Sequence, residues 1–321
     1  MSAVSKFGQY VFMEVYDESD ALVFSADDLR IDFDIRHLPD WTRAKFTVHN
    51  LAPSTIKKLS HGKNYVTVSV RLHDNQLTVV ARDLYVSNAI EEIKVPDSIF
   101  SMFCYSKTRK EYFEKQIDIK VERPTLKRVV QACVEASDFE KEVKFKHFPA
   151  GMLDYRPPRL AGKYKGSLIT CLKKLGAKGN YRFNIYTEGD GITIMYKPDA
   201  KNVKSTDLYS GKGEITLSTD NMKANPKLGP ANLSVTSNLD PEIKPSTILD
   251  ISELLTIGSI AGGEVLEVGE DYLRDSVAGF SKYQALAVQH KGSNWTNVWL
   301  TQVSATSPTK GTDMSTDKWW A

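Results

Sequence analysis

Apolar and polar residues alternate strictly near the start of the chain. Leu29, Ile31, Phe33 and Ile35 alternate with Arg30, Asp32 and Asp34, the period of a half-buried strand. After a turn at Leu38-Pro39-Asp40, Ala44, Phe46 and Val48 alternate again as far as Asn50-Leu51. Ser54-Thr55 opens a short helical turn through Ile56 and Leu59, and His61-Gly62 ends it. Tyr65 to Val70 then form the next strand. Strand, turn, strand, short helix, strand is the order of a small antiparallel barrel with a helix plugging its open end.

Helical spacing is confined to residues 124–200. Pro124-Thr125 begins one helix, along which Leu126, Val129, Val130, Cys133 and Val134 recur on one face. Ser167 caps a second, with Leu168, Cys171, Leu172 and Leu175 on its apolar side and Gly176 at its end. A hairpin follows, in which Tyr181, Phe183 and Ile185 face Ile192, Ile194 and Tyr196 across Glu188-Gly189-Asp190-Gly191. From about residue 201 the pattern returns to strands, and after Ser307 it becomes a polar tail ending in Trp319-Trp320-Ala321. The predicted fold class is mainly β with an α+β module. A β-barrel domain is expected over 1–123, the α+β module over 124–200, a second β-barrel over 201–307 and a tail over 308–321.

At 321 residues the chain can hold two or three domains, each with its own core. Its 42 Lys and Arg and 40 Asp and Glu are mixed along the sequence and leave a net charge of +2. With no polybasic run, charge favours neither specific nucleic-acid binding nor an anionic membrane. No apolar run approaches the roughly 20 residues that span a bilayer, and the N-terminus lacks a signal-peptide core. A soluble protein made in a cytoplasm is the expectation. The three cysteines, Cys104, Cys133 and Cys171, fall in apolar stretches without CxxC spacing, and are expected to be buried free thiols.

Catalytic patterns are missing. His37, His49, His61, His73, His147 and His290 form no HExxH or HxH pair, and there is no GxSxG elbow or P-loop. Asp17-Glu18, Asp27-Asp28 and Glu91-Glu92 are neighbours in sequence, so on a strand their carboxylates point to opposite faces. Gly211-Lys212-Gly213 lacks a following helix and reads as a flexible turn. No catalytic, cofactor or metal residue is assigned, and the chain is expected not to be an enzyme. Two segments read as partner interfaces. One is 148–159, which carries Tyr155, Arg156 and Arg159, although a loop folded back on its own domain fits equally well. The other is the tail with Trp319 and Trp320, with a disordered end as the competing reading.

Residues 29–72, with their Asn50-Leu51 turn, Thr55-Ile56 plug and Gly62 before the next strand, resemble the N-terminal tube-like domain of phage tail baseplate central hub proteins. The relatives of that domain in type VI secretion spikes share the pattern. Asn232 to Pro245, with Leu239-Asp240-Pro241 and a second proline at 245, looks like the same family's strand–Pro–Pro segment. Tyr283 to Gly292 followed by Asn297 to Val303 looks like its closing hairpin. Ser246 stands where the family has Gly, and Ser293 where it has Asp; both loosen the expected turns.

The resemblance implies two tube-like antiparallel β-barrels flanking the helix/hairpin region. It also implies a homotrimer whose three chains present six similar barrels. Such a ring would be a structural hub around a channel, adapting a hexameric tail tube to a trimeric central spike. Tape measure and baseplate wedge proteins would be further partners, and the setting a virion tail baseplate assembled in the host cytoplasm. Two other classes remain open. One is a tail-associated cell-wall-degrading protein, although the chain ends about 20 residues after its last expected strand. The other is a carbohydrate-binding module using Trp295 and Trp299 as platforms.

Overall fold

The computed structural model describes residues 10–38, 41–71, 76–94, 97–107, 109–110, 115–122, 124–139, 142–146, 148, 151–156, 160–179, 183–188, 191–196, 213–228, 232–256 and 281–306. The fold is mainly β, with an α+β module. The chain divides into two compact units. The first comprises residues 1–196, 239–242 and 289–300, and the second 197–238, 243–288 and 301–321.

Seven antiparallel strands open the first unit. They are β1 (Tyr10–Tyr16), β2 (Leu22–Ala26), β3 (Ile31–Leu38), β4 (Trp41–His49), β5 (Tyr65–Arg71), β6 (Leu77–Lys94) and β7 (Asp97–Ser106). Their order in the sheet is β2-β1-β5-β6-β7-β4-β3. Burial alternates along β1, β3 and β4 as the period-2 pattern requires, and one face carries Val11, Met13, Val15, Ile31, Phe33, Ile35, Phe46 and Val48 into a single core. Between β4 and β5, helix α1 (Pro53–His61) begins on Pro53, whose missing N–H costs nothing at a helix start. It buries Ile56 and Leu59 and lies against β6 and β2. The Asn64 amide donates to the Leu59 carbonyl at 3.0 Å and satisfies the helix end.

A second core in the same unit gathers around two helices. Strand β8 (Gln116–Val121) precedes α2 (Leu126–Ala136), whose N-cap Thr125 accepts the Arg128 N–H at 3.1 Å. Next come β9 (Glu142–Lys146), β10 (Gly162–Ser167), α3 (Leu168–Gly179), β11 (Phe183–Glu188) and β12 (Gly191–Tyr196). β8 pairs antiparallel with β10, and β12 pairs antiparallel with β11 and parallel with β9. Leu126, Val129, Val130 and Cys133 of α2 pack with Leu168, Cys171, Leu172 and Leu175 of α3, and Ile117, Val121, Ile185 and Ile194 of the strands close the cluster. Burial pushes the Cys133 thiol up to about 12, with Cys171 adding to the effect, so it stays protonated.

The second unit contains β13 (Glu214–Thr216), β14 (Met222–Leu228), β15 (Asn232–Asn238), β16 (Ile248–Asp250) and the short helix α4 (Ser252–Thr256). It also contains Lys282–Val288 of β17 (Lys282–Ser293) and Thr301–Thr306 of β18 (Trp299–Thr306). β14 pairs with β15, β16 with β17, and β13 runs parallel to β16. Leu233, Val235, Leu249, Ile251, Tyr283, Ala285 and Val303 form its core. Ser246 holds φ at 80° while its N–H donates to the Ala285 carbonyl at 2.8 Å. It thus adopts the left-handed conformation that glycine reaches without strain.

Candidate functional site

In the first unit, the segment 289–300 forms a tip beside β3 that is fastened by side chains acting as backbone. Asn294 donates from Nδ2 to the Leu29 carbonyl at 2.6 Å and accepts the Ile31 N–H on Oδ1 at 2.9 Å. The Ser293 hydroxyl accepts the N–H groups of Trp295 at 3.1 Å and Thr296 at 3.2 Å. The serine therefore does locally what an aspartate there would do, turning the chain by accepting backbone donors. Trp299 donates from Nε1 to the Ser293 carbonyl at 2.7 Å and meets Phe33 edge-on, ring centroids 6.2 Å apart. It is buried in the core, so it is no platform for a sugar. Trp295, 48% exposed, is the tryptophan this tip presents to solvent.

Three of the four described histidines, His37, His49 and His290, are buried in internal contacts, and the fourth, His61, is exposed with Nδ1 2.9 Å from the Lys57 carbonyl. His290 is fully buried and meets His37 edge-on at 5.3 Å, while His37 Nδ1 lies 2.9 Å from the Thr42 hydroxyl. His49 places Nε2 3.2 Å from Asp32, which also faces Arg30 at 3.5 Å. Among the described residues no three His, Cys, Asp or Glu side chains converge where an ion could sit. Asp17 spends its carboxylate on its own turn, accepting from the Ser19 hydroxyl and from the Ala21 and Ser19 N–H groups. Those bonds hold it below the usual carboxylate range. Gly213 has φ of 77°, as a turn demands, and Gly211 and Lys212 lie outside the described residues.

Of the residues expected at interfaces, Tyr155 is 64% exposed and Arg156 is exposed beside it. Their segment is anchored from below. The Tyr155 N–H donates to the Gly151 carbonyl at 3.0 Å, and the Leu153 carbonyl accepts the Lys127 N–H of α2 at 3.3 Å. Arg159, Trp319 and Trp320 lie outside the described residues.

Two surfaces escaped the sequence reading. On the outer face of the first sheet, Tyr65, Tyr85 and Tyr105 stand in a cross-strand row, centroids 5.7 and 5.3 Å apart. Lys107 lies over Tyr65, Lys110 over Tyr85, and Arg109 over Trp41 at 3.5 Å. The cations fix the segment after β7 onto the rings. The other surface is the solvent side of β8, β10 and α3, where Lys120, Lys163, Lys165, Lys173 and Lys174 are all exposed. The sequence signal was available: residues 155–187 contain eight Lys or Arg and no Asp or Glu. Averaging charge over the whole chain hid it.

By sequence, no family model matches the chain and no curated protein matches it. By structure, it is similar to the tail protein from Neisseria meningitidis MC58, with a TM-score of 0.56 at 9% identity over 92% of this chain and 96% of that one. It is similar to the 43 kDa tail protein of prophage MuSo2 from Shewanella oneidensis, with a TM-score of 0.54 at 9% identity over 93% and 98%. It is also similar to the E. coli c3393 protein, with a TM-score of 0.52 at 9% identity over 87% and 73%. That protein is a component of the type VI secretion system and exhibits structural similarity to the T4 bacteriophage tail proteins gp27 and gp5. The chain has the fold of these tail and secretion-system proteins.

Proposed function

We propose that this chain is a structural component of a phage-type tail, the hub of a baseplate. In this reading three copies form a ring around the channel and join a hexameric tail tube to a trimeric spike. The observation that carries the reading is the extent of the likeness: it runs through more than nine-tenths of this chain and of two tail proteins, so the whole architecture corresponds rather than one shared domain. The shared fold carries this function by analogy. Two β-rich bodies in one chain suit a threefold ring that must meet a sixfold one, because three chains then offer six bodies. Heterologous contacts between them close such a ring. The tail tube protein and the central spike are its partners, with tape measure and baseplate wedge proteins beside them, and the virion tail is its location.

The chemistry supports a role without catalysis. The described histidines and Asp17 are committed to internal contacts, and the thiol of Cys133 is held protonated by burial. The sugar-binding alternative loses one of its two platforms with the burial of Trp299.

The test is the mass and shape of the purified chain, alone and mixed with its spike protein, by native mass spectrometry and negative-stain microscopy. A threefold mass and a closed ring on the spike are expected. Only monomers or dimers in the presence of the spike overturn the ring. Release of peptidoglycan fragments by the pure protein overturns the non-enzymatic role.

A further inference from the structure

We propose that the lysine face of β8, β10 and α3 is a seat for the acidic strand ends of β6 and β7, with Glu91, Glu92 and Asp97, of a neighbouring copy of this chain. The inference rests on the ring reading and names one of its contacts. Lys163 stands directly opposite Lys120 in the β8–β10 register, and Lys165 opposite Asp118. Asp118 is shared, 3.0 Å from Lys163 and 4.0 Å from Lys165, while Lys120 turns to Glu122 at 2.9 Å. On α3, Lys174 donates to the Lys165 carbonyl at 3.2 Å, which brings its cation onto the same surface. Like charges placed directly across a strand pair destabilise it. The exposed ion pairs around them return little. The opposed lysines thus gain little from their own exposed carboxylates, and the face keeps a cationic excess that an anionic partner can use.

The partner's chemistry is on the same chain. With a net charge of only +2 overall, the one-sign stretch over 155–187 leaves the remainder acidic. The strand ends of β6 and β7 concentrate that acid: residues 91–97 hold three carboxylates and one lysine, and Glu91, Glu92 and Asp97 are exposed. Glu91 and Glu92 are successive strand residues, so one carboxylate points to each side of the ribbon. The start of β7 is anchored, because Asn50 bonds both Asp97 and Ser98. Ile93, 78% exposed, adds an apolar side chain beside these carboxylates. Two different, complementary patches on one chain make a head-to-tail contact, the kind from which rings close.

The test uses the full chain in sedimentation velocity at 50 and 500 mM NaCl, between which the Debye length falls from about 14 Å to about 4 Å. Three variants are compared with the wild type: Lys163→Glu/Lys165→Glu, Glu91→Lys/Glu92→Lys, and all four changes together. Wild-type self-association is expected to weaken about tenfold or more at the higher salt, and each double reversal to weaken it comparably at low salt. The fourfold variant is expected to regain association, which a misfolded protein would not do. Wild-type-like assembly by the lysine variant, or no recovery in the fourfold one, overturns this contact and leaves the ring standing. A wild type that stays monomeric at 50 mM salt, even with its spike protein, overturns both. Loss of binding to a fluorescent DNA duplex by the lysine variant, with assembly unchanged, assigns the face to nucleic acid instead and also overturns the proposal.

Discussion

Gly292 lies flat against the ring of Phe33, so close that a Cβ at position 292 would sit 2.3 Å from Cζ. Phe33 cannot swing away freely, because its ring is buried and meets Trp299 edge-on. Gly292→Ala is therefore expected to destabilise the chain by about 1–3 kcal/mol through overpacking. In a Phe33→Leu background the same change should cost clearly less, since the two residues share the contact. Urea midpoints of the four proteins measure the coupling, and strict additivity would contradict the packing described.

Asn50 combines a left-handed φ of 58° with bonds that hold the start of β7. Its N–H donates to the Ser98 carbonyl at 2.9 Å, Oδ1 accepts the Ser98 N–H at 3.0 Å, and Nδ2 donates to Asp97 at 3.0 Å. Asn50→Ala should cost about 1–3 kcal/mol, from lost bonds and backbone strain together. Asn50→Gly keeps the backbone relaxed and should be the milder change of the two. Thermal unfolding of both variants decides the order.

Ser246 sits at φ of 80°, where an L-residue is strained by about 1–2 kcal/mol. Glycine relieves that strain but loses about 0.5–1 kcal/mol to its freer unfolded chain. Ser246→Gly should thus stabilise by up to about 1 kcal/mol, read as a higher urea midpoint at an unchanged slope.

Burial raises the Asp240 carboxyl above the ordinary aspartate range, although the Glu242 N–H donated to Oδ1 at 3.0 Å works the other way. The folded chain then holds that proton more tightly than the unfolded one. The resulting stability is fully present below the unfolded pKa and is lost as pH rises through the folded one. Asp240→Asn keeps the acceptor and cannot ionise. Its stability relative to wild type should rise as pH is taken from acid to neutral, measured by urea unfolding across that range.

The two tryptophans of the tip should separate cleanly. Trp299→Ala removes a buried ring and its bond to Ser293 and is expected to cost about 3–5 kcal/mol. Trp295→Ala should change stability by less than about 0.5 kcal/mol.

Elements whose reason is local were legible in the sequence. Alternation alone located β3 and β4, the Thr125 cap located α2, and the β11–β12 hairpin was legible as two facing strands, although its register, Phe183 with Tyr196 and Ile185 with Ile194, was not; Tyr181 lies outside the described residues. The family-like turns were legible too, because Asn50, Gly292 and the position of Ser246 each answer a backbone or packing demand that few residues meet. Partnerships between distant segments were not. β8 reads as a strand, yet nothing along Gln116–Val121 names β10 as its partner, and the parallel pairing of β9 with β12 leaves no mark in either sequence. Trp299 illustrates the limit: an aromatic residue in an alternating strand is equally a platform or a core residue until Phe33 is placed beside it. Tyr155 and Arg156 are exposed, but exposure does not name a partner.

The first unit is not finished by its own stretch of chain: residues 289–300 belong to it, and they follow almost the whole of the second. During synthesis, the ribosome delivers Ile31 and Leu29 263 and 265 residues before Asn294 arrives to bind them. Until then the free edge of β3 is an open strand of the kind that recruits wrong neighbours. A nascent or truncated chain lacking the tip therefore carries a sticky seam, and residues 289–300 act as the clasp that removes this aggregation hazard.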